Sequence, residues 1–151
     1  MTTERVAVEQ EVEINAPIAT VYSYLTDPAL VVQWMGRAVE LDPRPGGGFR
    51  CEMNDRDAFR GEVVELVPNA RMVFTFGWEA EGSPIPPGAS TVEITLREEA
   101  GKTVVRLVHR DVPEPAAEHH GQGWQLYLDR LAVIVAGGDP GPDPNATPQD
   151  M

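Results

Sequence analysis

From Arg37 to Asp111 the apolar residues alternate with polar ones in six successive segments. No connection between them reaches the dozen or so residues that a crossover between parallel neighbours requires. The pattern therefore demands an antiparallel sheet. "GGGFRCEMND" sets Phe49, Cys51 and Met53 on one side, and "RMVFTFGWEA" sets Met72, Phe74, Phe76 and Trp78 on one face. "STVEITLREE" and "KTVVRLVHRD" are joined by "EEAGK", a hairpin turn at Gly101. In the last segment Val105, Leu107 and His109 point one way, and Val104, Arg106 and Val108 the other.

A sheet with so apolar a face has to bury it. "RVAVEQEVEI" near the start alternates as well, with Val6, Val8, Val12 and Ile14 on one face and Gln10 among them. Two short helices follow. Pro17 suits the first turn of one, and Asp27 with Pro28 opens the other, which carries Leu30, Val31 and Trp34. The chain ends its patterned part on "HHGQGWQLYLDRLAVIVAGG", His119 to Gly138, where Trp124, Tyr127, Leu128, Leu131, Ile134 and Val135 make one helical stripe. "EHH" reads as a polar loop ahead of that helix, and Gly137 and Gly138 as its end. The expected fold is α+β in the order β-α-α-β6-α. The long C-terminal helix is expected to lay its aromatic end on the sheet face that carries Phe74, Phe76 and Trp78. Residues 1–137 form the domain. Residues 138–151, "GDPGPDPNATPQDM", have almost nothing to bury and are expected to be a disordered tail.

The formal net charge of −12 disfavours nucleic acid and anionic membranes as partners. No apolar run reaches the ~20 residues that span a bilayer, and "MTTERVAVEQ" lacks the basic and apolar regions of a signal peptide. A single cysteine, Cys51, fits a reducing, cytoplasmic setting. "GGG" at Gly46–Gly48 lacks the lysine and hydroxyl of a phosphate loop and leads into a strand. "EGSPIPPGA", Glu81–Ala89, is a loop, either on the surface or over a cavity mouth.

No catalytic motif stands out. Glu118, His119, His120 and His109 are conceivable metal ligands, but adjacent side chains diverge, and no metal site or cofactor is expected. His109 is either a hydrogen-bonded core histidine or a polar contact for a ligand. Gln10 either sits at a wet strand end or offers its amide to an interior cavity. Cys51 has no activating partner in sequence and reads as a small buried apolar residue. Leu126 and Val133, on the far side of the last helix, are scattered surface residues or a contact in a homodimer.

The order and spacing of "EINAPIATVYSYLTDPALVVQWM", "DPRPGGGFRCEM", "GEVVELVPNARMVFTF" and "HRDVPEPAAEHHGQGWQLYLDRL" resemble the START-like, helix-grip superfamily, also called SRPBCC. Within it they resemble the branch named for the activator of Hsp90 ATPase. Many relatives carry paired tryptophans where this chain has Trp34 followed by Met35. The resemblance implies a helix-grip fold, a curved antiparallel sheet wrapped around the long C-terminal helix, with a cavity between them that binds a hydrophobic or amphipathic small molecule. Its lining would come from Gln10, Trp34, Met53, Met72, Phe74, Phe76, Trp78, His109, Trp124, Tyr127, Leu128 and Leu131. Two other functions are implied less directly: a polyketide cyclase or aromatase-like enzyme using the same cavity, and a protein-binding module acting on Hsp90.

Overall fold

A computed structural model describes residues 4–146; the initial tripeptide and the last five residues of the tail lie outside the described residues. The elements are β1 (Arg5–Ile14), α1 (Ile18–Thr26), α2 (Pro28–Trp34), β2 (Ala38–Leu41), β3 (Gly48–Glu52), β4 (Ala58–Val67), β5 (Arg71–Trp78), β6 (Ser90–Glu99), β7 (Lys102–Pro113) and α3 (Glu114–Val135). All seven strands form one antiparallel sheet in the order β1-β7-β6-β5-β4-β3-β2. The first strand thus lies beside the last. The helix α3 runs chiefly along β1, and α1 and α2 pack against it from the side. This is the α+β helix-grip arrangement that the resemblance implies.

Local chemistry sets the short helices. Asp27 Oδ1 accepts from the Ala29 N–H at 3.0 Å, and Pro28 occupies the first position of α2, where no N–H is needed. Pro17 stands just outside α1, at its N-cap, rather than within its first turn. The Trp34 indole N–H donates to Tyr24 O at 2.9 Å and ties the two helices together.

The last helix differs from expectation at its start. It begins at Glu114, five residues before His119, so "EHH" lies within the helix and is not a loop. Pro115 in the first turn is the signal that marks this start. No loop separates β7 from α3. The register of β1 on β7 slips between Val6 and Val8, whose partners are Val112 and His109, and Asp111 in the bulge has φ of 63°. A bulge of this kind bends a strand and re-aims the chain beyond it. Here it turns β7 directly into the helix, and the Glu114 N–H bonds back to Glu4 O at 2.9 Å.

The concave face of the sheet and the inward stripe of α3 share one core. Phe49, Phe59, Val63, Met72, Phe74, Phe76, Val92, Ile94, Leu107, Trp124, Leu128 and Leu131 are each 5% exposed or less. The convex face is not plainly polar: Val73, Val104 and Val108 are also buried there. Long charged side chains lie over them, paired as Arg71–Glu93–Arg110, Arg106–Glu9, Arg97–Glu11 and Lys102–Glu13. Aliphatic stems cover the valines while the charged ends stay in water.

Gly61 in β4 is required by close approach. A Cβ there would overlap the backbone carbonyl of Thr75 in the next strand. Gly61→Ala should therefore cost about 1–3 kcal/mol through forced backbone displacement, read as a lower midpoint in urea with circular dichroism unchanged before the transition.

Candidate functional site

Cross-strand register builds one end of the site. Phe74, Val92, His109 and Val8 are successive partners across β5, β6, β7 and β1, which places His109 on the concave face beneath α3. Its ring is fully buried. Trp124 of α3 donates its indole N–H to His109 Nδ1 at 3.0 Å. An indole nitrogen can only donate, so Nδ1 accepts and the neutral imidazole carries its proton on Nε2. That N–H donates to Ser90 Oγ, 2.8 Å away, and the Ser90 hydroxyl donates to Phe76 O at 2.7 Å.

This direction of donation decides the chemistry. A serine nucleophile needs the imidazole to accept its proton. Here the imidazole gives its proton toward the serine, and an indole occupies the place of an orienting carboxylate. The pair is a clasp joining β5, β6, β7 and α3. His109 is the hydrogen-bonded core histidine among the alternatives the sequence leaves open.

His120 lies one helical turn before Trp124 and is 9% exposed. Its Nε2 accepts from the Trp78 indole N–H at 3.3 Å. The two imidazole rings face each other edge-on at 5.3 Å. Phe76 sits among them, 4.7 Å from His109, 5.9 Å from His120, 5.4 Å from Trp78 and 4.5 Å from Phe59, ring centre to ring centre. Burial, aided by His120, pushes the His109 pKa down to about 3, and burial, aided by His119, pushes that of His120 down to about 4. Both are uncharged at neutral pH. The surface around Phe76 is thus aromatic with two neutral polar rings. The loop "EGSPIPPGA" closes over it: Ile85 is fully buried, and its carbonyl accepts from Trp78 N at 2.7 Å.

A second polar cluster lies farther along α3. The Tyr127 hydroxyl donates to the Asp143 carboxylate, 2.9 and 3.0 Å from its two oxygens, and accepts from Asn145 Nδ2 at 3.1 Å. Asn54, in the β3–β4 connection and 3% exposed, donates its amide to Asn145 O at 2.8 Å. Arg130 donates to Gly141 O at 3.0 Å and to Trp34 O at 3.3 Å. The first part of the tail thus folds back across α3. Cys51 lies below it, its pKa pushed up to about 12 by burial and by the Asp143 carboxylate, so it is a thiol and not a nucleophile.

Six of the twelve candidates named from sequence fall into these two groups. Phe76, Trp78, His109 and Trp124 gather at one end; Met53 and Tyr127 stand near Cys51 and the tail at the other. Met72, Phe74, Leu128 and Leu131 are buried core. Gln10 is half-buried between β1 and α3, where its amide donates to Gly121 O at 2.9 Å and fixes the side chain to the helix. The polar edge of Trp34 is likewise taken. Ser90, Phe59, Asn54 and Asp143 were missed, and His120 was weighed only as a metal ligand or loop residue. His120 was legible, four residues before Trp124 on the same stripe, once the helix is started at Pro115.

Among the described residues no group of three or more His, Cys, Asp or Glu side chains could hold a metal. No helix among them is long and apolar enough to cross a membrane. A shallow groove of about 730 Å³ runs outside the core between β1 and α3, lined by Val8, Gln10, Glu118, Gln122, Gln125 and Leu126 among others. Leu126 is half-buried in it, and Val133 is 39% exposed.

Comparison with known proteins agrees with this architecture. No curated protein matches the chain. The solution structure of the AHSA1-like protein from Rhizobium etli is 39% identical over 98% of this chain and 92% of that one, with a TM-score of 0.72. The crystal structure of DynU16, from the dynemicin biosynthetic locus, is 26% identical over 89% of this chain with a TM-score of 0.78; the chain spans about half, 48%, of that protein. CalU16 from Micromonospora echinospora is 26% identical over 91% of this chain and 88% of its own, with a TM-score of 0.68. The sequence pattern of the activator of Hsp90 ATPase homolog 1-like proteins matches residues 15–136, from the end of β1 through α3. With sheet, gripped helix and this match in agreement, the chain belongs to that family, within the helix-grip superfamily.

Proposed function

We propose that the protein binds an apolar or amphipathic small molecule on the concave face of the sheet beneath α3. The observation that carries this reading is the ring cluster around Phe76. Phe59, Trp78, His109, His120 and Trp124 converge there, with no charged group among them. A site of this composition favours apolar surface by roughly 25 cal/mol per Å² buried and resists a bare ion. The rings touch one another, so a guest enters by displacing side chains. The half-buried Trp78, held to His120 by a long 3.3 Å hydrogen bond, is the one at the rim. Likeness to DynU16, a protein of a biosynthetic locus, supports a small-molecule role over an Hsp90-directed one.

A cyclase-like reaction on the same surface is the second reading. It is favoured by His120, an uncharged imidazole at the edge of the ring cluster, whose Nε2 accepts from Trp78 and whose proton therefore sits on Nδ1, which makes it a hydrogen-bond donor and not a base. Ser90 and His109 are excluded from nucleophilic roles by their hydrogen bonding.

Native mass spectrometry and thermal shift test the proposal. A panel of aromatic polyketides, fatty acids and sterols should contain a compound that raises the melting temperature. At a hundredfold excess over Kd the gain is about 2.7 kcal/mol. No retained mass and no shift from any of the panel would end the small-molecule reading.

A further inference from the structure

The folded-back tail has a chemistry of its own. Three donors of the domain meet three acceptors of the tail. The Tyr127 hydroxyl meets the Asp143 carboxylate, the Asn54 amide meets Asn145 O, and the Arg130 guanidinium meets Gly141 O. One contact runs the other way, from Asn145 Nδ2 to the Tyr127 oxygen. The donors come from α3 and the β3–β4 connection, which belong to the rigid body of the domain. The acceptors come from a segment of alternating Pro, Gly and Asp with no regular element.

With the tail in place two of these donors are shielded from water, while Arg130 is half-buried. Tyr127 is 5% exposed and Asn54 only 3%. Buried donors need acceptors: the Tyr127 hydroxyl finds its acceptor in the tail, while Asn54 also donates to Asp57 Oδ2 at 3.2 Å and Arg130 to Trp34 O at 3.3 Å. Burial and the adjacent carboxylate raise the Tyr127 pKa, so its hydroxyl keeps its proton and remains a donor. Just beneath lies an apolar floor: Cys51 is within electrostatic reach of both Tyr127 and Asp143, and its sulfur is 3.5 Å from Met53 Sδ. A carboxylate at this place would meet the Tyr127 hydroxyl, with the Asn54 and Arg130 donors beside it at Asn145 O and Gly141 O.

We infer that Tyr127, Asn54 and Arg130 form a subsite for the carboxylate end of an amphipathic acid, and that residues 141–145 occupy it in cis, with Asp143 in the place of the ligand's carboxylate. The inference rests on the small-molecule reading and names the ligand class: an apolar acid rather than a neutral lipid or sterol. The tail then competes with the ligand. An intramolecular occupant acts at a high effective concentration, so removing its contacts strengthens binding without any new contact.

The test uses the full chain and two fluorescent probes, 1-pyrenebutyric acid and its methyl ester. In the Asp143→Ala/Asn145→Ala variant the acid should bind at least tenfold more tightly than to the native chain, and the ester by much less. Adding Tyr127→Phe to that variant should abolish the preference for acid over ester and leave ester affinity in place. Equal tightening of both probes, or no tightening of the acid, overturns the subsite. Failure of both probes to bind any variant instead counts against the small-molecule reading, and the subsite falls with it. A measurement without a Tyr127 variant guards against misfolding. Saturating the native chain with the acid should move the backbone amide resonances of Asp143 and Asn145 to their positions in the Gly141–Ala146 peptide free in solution, and unmoved resonances overturn the competition.

Discussion

Lowering the pH from 7 to 5 is expected to remove about 4 kcal/mol of folding stability through two histidines alone. His109 and His120 are held neutral in the fold, with pKa values of about 3 and about 4 against an ordinary 6.5. Above pH 6.5 neither the folded nor the unfolded chain protonates them, and they add no pH dependence. Below it the unfolded chain takes up protons that the folded chain refuses, so stability falls. The slope approaches about 1.4 kcal/mol per pH unit for each ring until the pH drops through its folded value. A loss of that size is a large part of the 5–15 kcal/mol typical of a domain. Glu79 acts in the same direction, since its hydrogen bond to Arg50 holds its carboxyl below the usual range. Urea unfolding followed across pH 5–7 checks the sum. His120→Gln should lessen the slope by about one proton, and an unchanged slope would show that the ring is not held neutral.

The second large effect is at Phe76. Its ring, 2% exposed, touches Phe59, Trp78, His109, His120 and Trp124. Phe76→Ala should cost about 3–5 kcal/mol, combining lost transfer energy with a void that the surrounding rings cannot fill. For a chain of this length that lowers the melting temperature by roughly 6–20 °C. The void would be apolar and aromatic-walled, so toluene should restore part of the loss in the variant and do nothing for the native protein. A variant that melts as the native protein does would show that the ring cluster is not the core of the domain.

The sheet was legible because alternation survives everywhere except at bulges. Met72, Phe74 and Phe76 all face inward as their spacing dictates, and so does His109. The start of α3 was not, because Gly121 and Gly123 look like loop residues beside two histidines. In the fold Gly121 is buried against β1, where a Cβ would meet Val8 and Gln10 at contact distance, and helix geometry continues through it. Trp124 and His109 could be placed on facing surfaces by periodicity. The direction of proton donation between them could not, because it depends on angstrom-scale contacts with Ser90 and Phe76 O. The tail was read by composition alone. Composition reports how little a segment can bury, and is silent on a single carboxylate that finds a buried phenol.

The junction at Pro113–Glu114 has a mechanical meaning. A lid needs slack at its root, and here sheet and helix share one unbroken segment clamped to the opening strand. The N-terminal half of the long helix cannot lift without tearing seven-strand pairing at its seam. Entry past Trp78 therefore requires side chains to move and not the helix, and amide hydrogen exchange should grade along the helix, slowest around Gly121 and fastest in its closing turns.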